Sequence, residues 1–281
     1  MKADDLNLKP QYRMPRVFGA LPGPRNVPKD KQNLPDNQTE LVIAVTALTD
    51  RKPLEELLPP DCTLDGEPLM TVSMTFKSNI GWLAGRGYSI LRTSFRIAYE
   101  SKTRGWLTDN FIPVLWENLA DPIMTGREEL GYAKIYAEMP APVVIGGSYS
   151  AVATWQGFRF FEIDATDLSE TSALPEPSGA FHYKFVPRTG ALGEADAAYL
   201  EYAPPNQLAT GYGGLQVRRR MLGHGSFKFH RARWEDVPFQ YPIINALAAL
   251  PVLDLRGASV TSLAATGAIG DPSAGALAEV V

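Results

Sequence analysis

The chain carries one cysteine, Cys62, so no internal disulfide can form. This usage fits a reducing compartment. Histidine is scarce too, at three residues. His224 and His230 share a strand face without acidic or cysteine neighbours, which makes a weak metal site, and His182 stands alone. No apolar run approaches the roughly 20 residues needed to cross a bilayer. The N-terminal stretch MKADDLNLKPQYRMPRVFG has no apolar core of the secretory kind. Neither sign of charge dominates: the formal net charge is -4 and the pI about 5.5. Nothing therefore calls for a nucleic-acid or membrane partner. We expect a cytoplasmic protein.

Several suggestive stretches carry no chemistry of their own. GGSYS (146–150) lacks the serine spacing of a nucleophile elbow. GYGG (211–214) lacks a phosphate-loop frame. The arginines at 218–220 alternate across a strand, which suits a solvated or interface face. Cys62 follows a Pro-Pro turn with no His or Lys beside it, so it is no candidate for a catalytic thiol.

What is present points to a β-rich domain. Of the 281 residues, 45% are hydrophobic and 21% charged, enough to bury a sizeable core. Residues 1–38 hold prolines at 10, 15, 22, 24, 28 and 35 and read as an extended arm, either loose or laid across its own barrel or a neighbouring subunit. LVIAVTA (41–47) reads as a strand. TDRKPLEELLPP (49–60) reads as a short helix with Thr49 or Asp50 as N-cap. LMTVSMTFKS (69–78) alternates, with Met70, Val72, Met74 and Phe76 on one face and Thr71, Ser73, Thr75 and Lys77 on the other. Residues 88–100 and 106–118 are further strands. DPIMTGREELG (121–131) reads as a helix with Asp121 as N-cap and Gly131 as terminator. The segments VVIGGSYSAVATW, GFRFFEIDA, FHYKFVPR, LQVRRRML and SFKFHRARW are short and β-rich. PIINALAALPV (242–252) holds a last helix, LRGASVTSLAA a closing strand, and 267–281 a flexible tail. Many short strands with few helices predict one α+β, mostly β domain over 39–266: an antiparallel β-barrel with short peripheral helices.

One residue stands out chemically. Lys134 lies among Gly131, Tyr132, Ala133, Ile135, Tyr136 and Ala137. Lysine heads ordinarily stay wet. A lysine must be neutral to attack a carbonyl, and at an ordinary pKa about one in a few thousand is neutral at pH 7. Burial among rings and aliphatic groups, or a second cation, can shift that balance.

GREELGYAK (126–134) resembles the signature of the acetoacetate decarboxylase-like superfamily, roughly Gly-Arg-Glu, three residues, Tyr or Phe, then Pro-Lys-Lys. TDRKPLEELLPPDCTLDGEP (49–68), DPIMTGRE, YKFVP (183–187) and LPV (250–252) fall in the family's order. The resemblance implies the family's β-barrel, Lys134 as the imine-forming lysine, no metal or organic cofactor, and a homo-oligomer. The departures matter as much. Ile135 stands for the second signature lysine and Ala133 for the proline. Ser73 and Ile90 fall where true decarboxylases carry two active-site glutamates, and Glu40 falls near their arginine.

If Ile90 lines the pocket, strand parity puts Tyr88, Arg92 and Arg96 on the same face. Arg92 could hold a substrate carboxylate by a bidentate contact, with Tyr88 and Ser73 as polar neighbours. A carboxylate so held does not readily leave as CO2. The sequence therefore points to an imine-dependent lyase of hydratase, dehydratase or aldolase type on a 2-oxo acid. The alternatives are β-keto acid decarboxylation and a non-catalytic ligand-binding barrel.

Overall fold

The computed structural model describes residues 34–205 and 215–266, with 14, 17 and 27–31 before them and the backbone of 279–280 after. Most of the expected arm, most of the expected tail, and GYGG (211–214) lie outside the described residues.

Strand β1 (Thr39–Leu48) buries Ile43, Val45 and Ala47 and half-buries the residues between. Helix α1 (Arg51–Glu55) follows the N-cap Asp50, as expected, but stops before Pro59. Next come β2 (Cys62–Leu64), β3 (Leu69–Ile80), β4 (Arg86–Ser101) and β5 (Gly105–Glu117). Helix α2 (Ala120–Glu128) leads to the short β6 (Lys134–Tyr136). The hairpins β7 (Val143–Ile145), β8 (Ser148–Trp155) and β9 (Phe158–Glu170) follow. Then come β10 (Ala180–Pro187), β11 (Ala195–Ala203), β12 (Leu215–Phe229), α3 (Tyr241–Ala248), β13 (Asp254–Ala265) and β14 (Glu279–Val280).

All fourteen strands join one sheet in the order β14-β11-β10-β5-β4-β3-β1-β13-β12-β9-β8-β7, with β2 on β4 and β6 on β5. The expectation of a wholly antiparallel barrel needs correcting. β6 and β10 both pair with β5 in parallel. The reason for β6 is α2: a helical crossover returns the chain to the sheet in its original direction. The described strands form a large mixed sheet whose hydrogen-bonded path ends at β14 and β7.

Other differences are local. LQVRRRML and the first four residues of SFKFHRARW form one strand, β12, rather than two, and HRARW lies beyond its end. Its central glycines do not break it; they let neighbours approach, since a Cβ on Gly223 would lie 2.4 Å from the Thr166 carbonyl oxygen. The N-cap of α2 is Leu119, so Asp121 sits in the first turn instead of at the cap. Gly131 does lie past the helix end, with φ of +75°. The expected closing strand, β13, lies inside the sheet between β1 and β12. Strand β11 has a weak apolar pattern and was not foreseen.

The two faces of β3–β5 differ. On one, Met70, Val72, Met74, Leu91 and Trp116 are essentially sealed and join the main core. On the other, the register sets Ser73 beside Arg92 and Arg92 beside Leu115, and next to that row Thr75, Ile90 and Glu117. A bulge in β5 sets Ile112 and Pro113 against Ser94 alone. Proline cannot donate a ladder hydrogen bond, so a bulge is where a central strand tolerates it. Ile112, Leu115 and Ala180, with Ile90 and Tyr132 against them, form a small second cluster on this face.

Candidate active site

Lys134 opens β6 opposite Leu115, and its side chain is 8% exposed. Three contacts hold it. Its Nζ donates to the Pro122 carbonyl oxygen at 3.1 Å. It lies 2.8 Å from Glu117 Oε1, whose side chain is fully sealed. It stands 5.6 Å from the centre of the Tyr132 ring. The backbone around it is fixed as well: Arg127 Nη1 donates to the Lys134 carbonyl at 2.9 Å, so this arginine positions the lysine's strand and does not pair with Glu128. Gly126 in α2 explains the first residue of the signature. A Cβ there would lie 2.4 Å from Lys134 Cδ and Cε and 2.7 Å from Nζ, so only glycine lets the amine pass under the helix.

Electrostatics follow from that burial. For Lys134, loss of water is the largest influence and lowers the pKa; Glu117 opposes it, Lys77 adds to it, and the net result is a lowered value. For Glu117, burial raises the pKa against the opposing Lys134 and Lys77. Both shifts favour the uncharged forms. Among the described residues neither Glu117 oxygen has a well-aligned hydrogen-bond donor, despite the short contact to Lys134. Glu117 was missed in the sequence, where it is one acid at the end of an apolar strand. Its one signal is parity, which turns it away from the core residue Trp116.

The expected site residues share this face. Ser73 is buried, two rows from Lys77 and Tyr88, and Ile90 is half-buried, one row from them. Tyr88 lies under Lys77, whose Nζ is 5.7 Å from the ring centre. Lys77, Tyr88 and Glu40 line a cavity of about 730 Å³. Lys77 Nζ is 2.7 Å from Glu40 Oε1, which also accepts from Gln38 Nε2 at 2.8 Å. Burial lowers Lys77, but Tyr88 and Glu40 outweigh it and leave the amine above its ordinary range.

Arg92 has no hydrogen bond or ion pair among the described residues. It is exposed, yet walled by protein closely enough that burial lowers its pKa against the opposing Glu40. Arg92 and Lys134 both act on the buried His182, so the three side chains share one neighbourhood, called the recess below. The Arg92 backbone lies two strand spacings from Lys134, about 10 Å, so the two long side chains can meet one small molecule. Arg96 keeps Arg92's face but lies four residues further, about 13 Å along the strand. There it reaches the surface and pairs with Asp65 at 3.0 Å.

His182, set aside in the sequence, also belongs here. Its ring stacks on Tyr132 with centroids 3.8 Å apart. Burial, then Lys134 and Arg92, push its pKa down to about 3.

A family model described as acetoacetate decarboxylase matches residues 21–257. The chain belongs to the acetoacetate decarboxylase family. Solved structures agree on this fold. A structure of acetoacetate decarboxylase superposes with a TM-score of 0.67 at 14% identity, covering 100% of this chain and 98% of that one. The enduracididine biosynthesis enzyme MppR, complexed with the condensation product of pyruvate and imidazole 4-carboxaldehyde, gives 0.62 at 15% identity, covering 90% and 92%. An acetoacetate decarboxylase-like enzyme from Sphingomonas wittichii RW1 gives 0.59 at 14% identity, covering 83% and 91%. No curated protein sequence matches. Among the described residues no helix is long and apolar enough to cross a membrane.

Proposed function

We propose that this member of the acetoacetate decarboxylase family forms an imine between Lys134 and the ketone of a small 2-oxo acid. The carboxylate sits on Arg92, and Glu117 moves protons at the nitrogen. The observation that carries this reading is the Lys134 amine, sealed against Glu117 2.8 Å away, with the Arg92 guanidinium two strands off and unpaired among the described residues.

The chemistry follows from those parts. Lys134 in its amine form attacks the carbonyl, and Glu117 takes and returns protons as the carbinolamine loses water. The protonated imine then draws electrons from the bond next to C2, giving an enamine. With the carboxylate held as an anion by Arg92, loss of CO2 is disfavoured. Carbon–carbon bond making or breaking, or water removal or addition, remains open at C3 and C4. MppR, which has been seen with pyruvate and with a pyruvate condensation product, supports this choice by analogy of fold. Decarboxylation of a β-keto acid is the second reading, favoured by the family itself.

Borohydride reduction in the presence of pyruvate tests the proposal. A mass increase matching a reduced pyruvate adduct is expected, absent from Lys134→Ala. An unmodified wild-type protein sinks the imine. Rapid CO2 release from acetoacetate in a parallel assay would hand the choice to the second reading.

A further inference from the structure

Imine formation leaves the buried His182 idle. His182 is 1% exposed, and its Nδ1 is sealed without a hydrogen-bond partner among the described residues. Its Nε2 is neither bonded to another described residue nor sealed. Directly across the β10–β11 ladder stands Glu201, 6% exposed, whose Oε2 is likewise sealed and unpartnered. Side chains so opposed have Cβ atoms about 5 Å apart. The other groups facing His182 are Tyr132 from the turn before β6, Lys134 from β6 and Arg92 from β4. Lys184 acts on Glu201 from β10.

Burial gives His182 its character. A neutral imidazole has one N–H and one lone pair, and burial above all, with smaller contributions from Lys134 and Arg92, keeps the ring neutral. A substrate carboxylate on Arg92 offsets that guanidinium's share, so the ring becomes more basic when the site fills. Burial raises the Glu201 pKa to about 7 against the opposing Lys184, so near neutrality part of it is ionised and can accept the Nδ1 proton's hydrogen bond.

We propose that His182 is the acid–base group for the carbon end of the substrate, that Glu201 positions it, and that the substrate is a 4-hydroxy-2-oxo acid cleaved or formed by aldol chemistry. This rests on the imine reading above. In cleavage, the substrate is a protonated imine on Lys134. His182 Nε2 takes the proton of the 4-hydroxyl, and that oxygen forms a carbonyl with C4. The C3–C4 bond breaks, its electron pair forms the C2–C3 double bond of the enamine, and the aldehyde leaves. His182 returns the proton to C3, and water releases the 2-oxo acid from Lys134. Condensation is the reverse.

The test follows cleavage of 4-hydroxy-2-oxopentanoate, with borohydride trapping of pyruvate measured beside it for each protein. In His182→Asn, cleavage should fall about 100-fold or more, and by at least tenfold more than trapping does. His182→Gln reads the same ratio if the asparagine variant folds poorly. Glu201→Gln should lower kcat more than it changes KM and displace the pH profile of kcat, which a structural role would not do. Cleavage unaffected in the His182 variants, or falling only in step with trapping, overturns the proposal. So does a wild-type protein that traps pyruvate but leaves the hydroxy acid intact. Absence of any trapped adduct in the wild-type protein overturns the imine reading as well, and so separates the two failures.

Discussion

Two lysine–glutamate pairs on one sheet face meet opposite fates. Lys77 and Glu40 lie 2.7 Å apart, and Lys134 and Glu117 lie 2.8 Å apart. Distance cannot distinguish them. Their surroundings do. The side chains of the first pair are 20% and 9% exposed, and Glu40 also accepts from Gln38 while Lys77 rides over Tyr88. Those partners replace water, so Lys77 stays charged. The side chains of the second pair are 8% and 0% exposed, and Glu117 has no aligned donor. Burial then outweighs attraction and both groups shift toward neutrality. A buried charge pair survives only with enough hydrogen bonds to stand in for its lost hydration. One pair is thereby an ionic brace, and the other fits a reacting amine and its proton carrier.

The sharpest way to break this comparison is to exchange the lysines' roles. Lys134→Ala should abolish the reduced adduct, seen as complete loss of the mass increase, whereas Lys77→Met should still be labelled. An adduct surviving in Lys134→Ala would place the nucleophile elsewhere. Next in size, Glu117→Gln should lower turnover about 100-fold or more, with Glu40→Gln far milder; equal losses would erase the distinction between the pairs. Arg92→Gln should raise KM for pyruvate about 30-fold, the order expected when one partner of a buried carboxylate contact is lost, and Arg96→Gln should leave it alone.

The smallest effects are in pH dependence. Trapping should rise with pH as Lys134 loses its proton. Lys77 lowers the Lys134 pKa, so Lys77→Met should move that rise to higher pH. Glu117 raises it, so Glu117→Gln should move the rise to lower pH. Shifts of the opposite sign would show that these charges do not act on the amine.

Much of the sheet was legible because strand alternation is local. Met70, Val72 and Met74 declared the buried face of β3, and Asp50 with Pro53 declared the start of α1. The lysine was legible because GREELGYAK is contiguous. Gly126 belongs to the same stretch, but its reason does not: only folding shows that the lysine's own side chain fills the space over it. Arg92 and Arg96 have the same parity, and what separates them is how far along β4 the recess extends.

Local order along the chain thus determined that this protein would be β-rich, with a lysine in an unusually apolar setting. Tertiary structure alone decided which carboxylate meets that lysine. Glu117 and Lys134 come together through a parallel pairing across α2, and His182 enters from β10, far along the chain. Alternation and capping act over a few residues and leave their mark in the sequence. Desolvation depends on everything packed around an atom, so the fate of these charges was set only when distant strands closed over them.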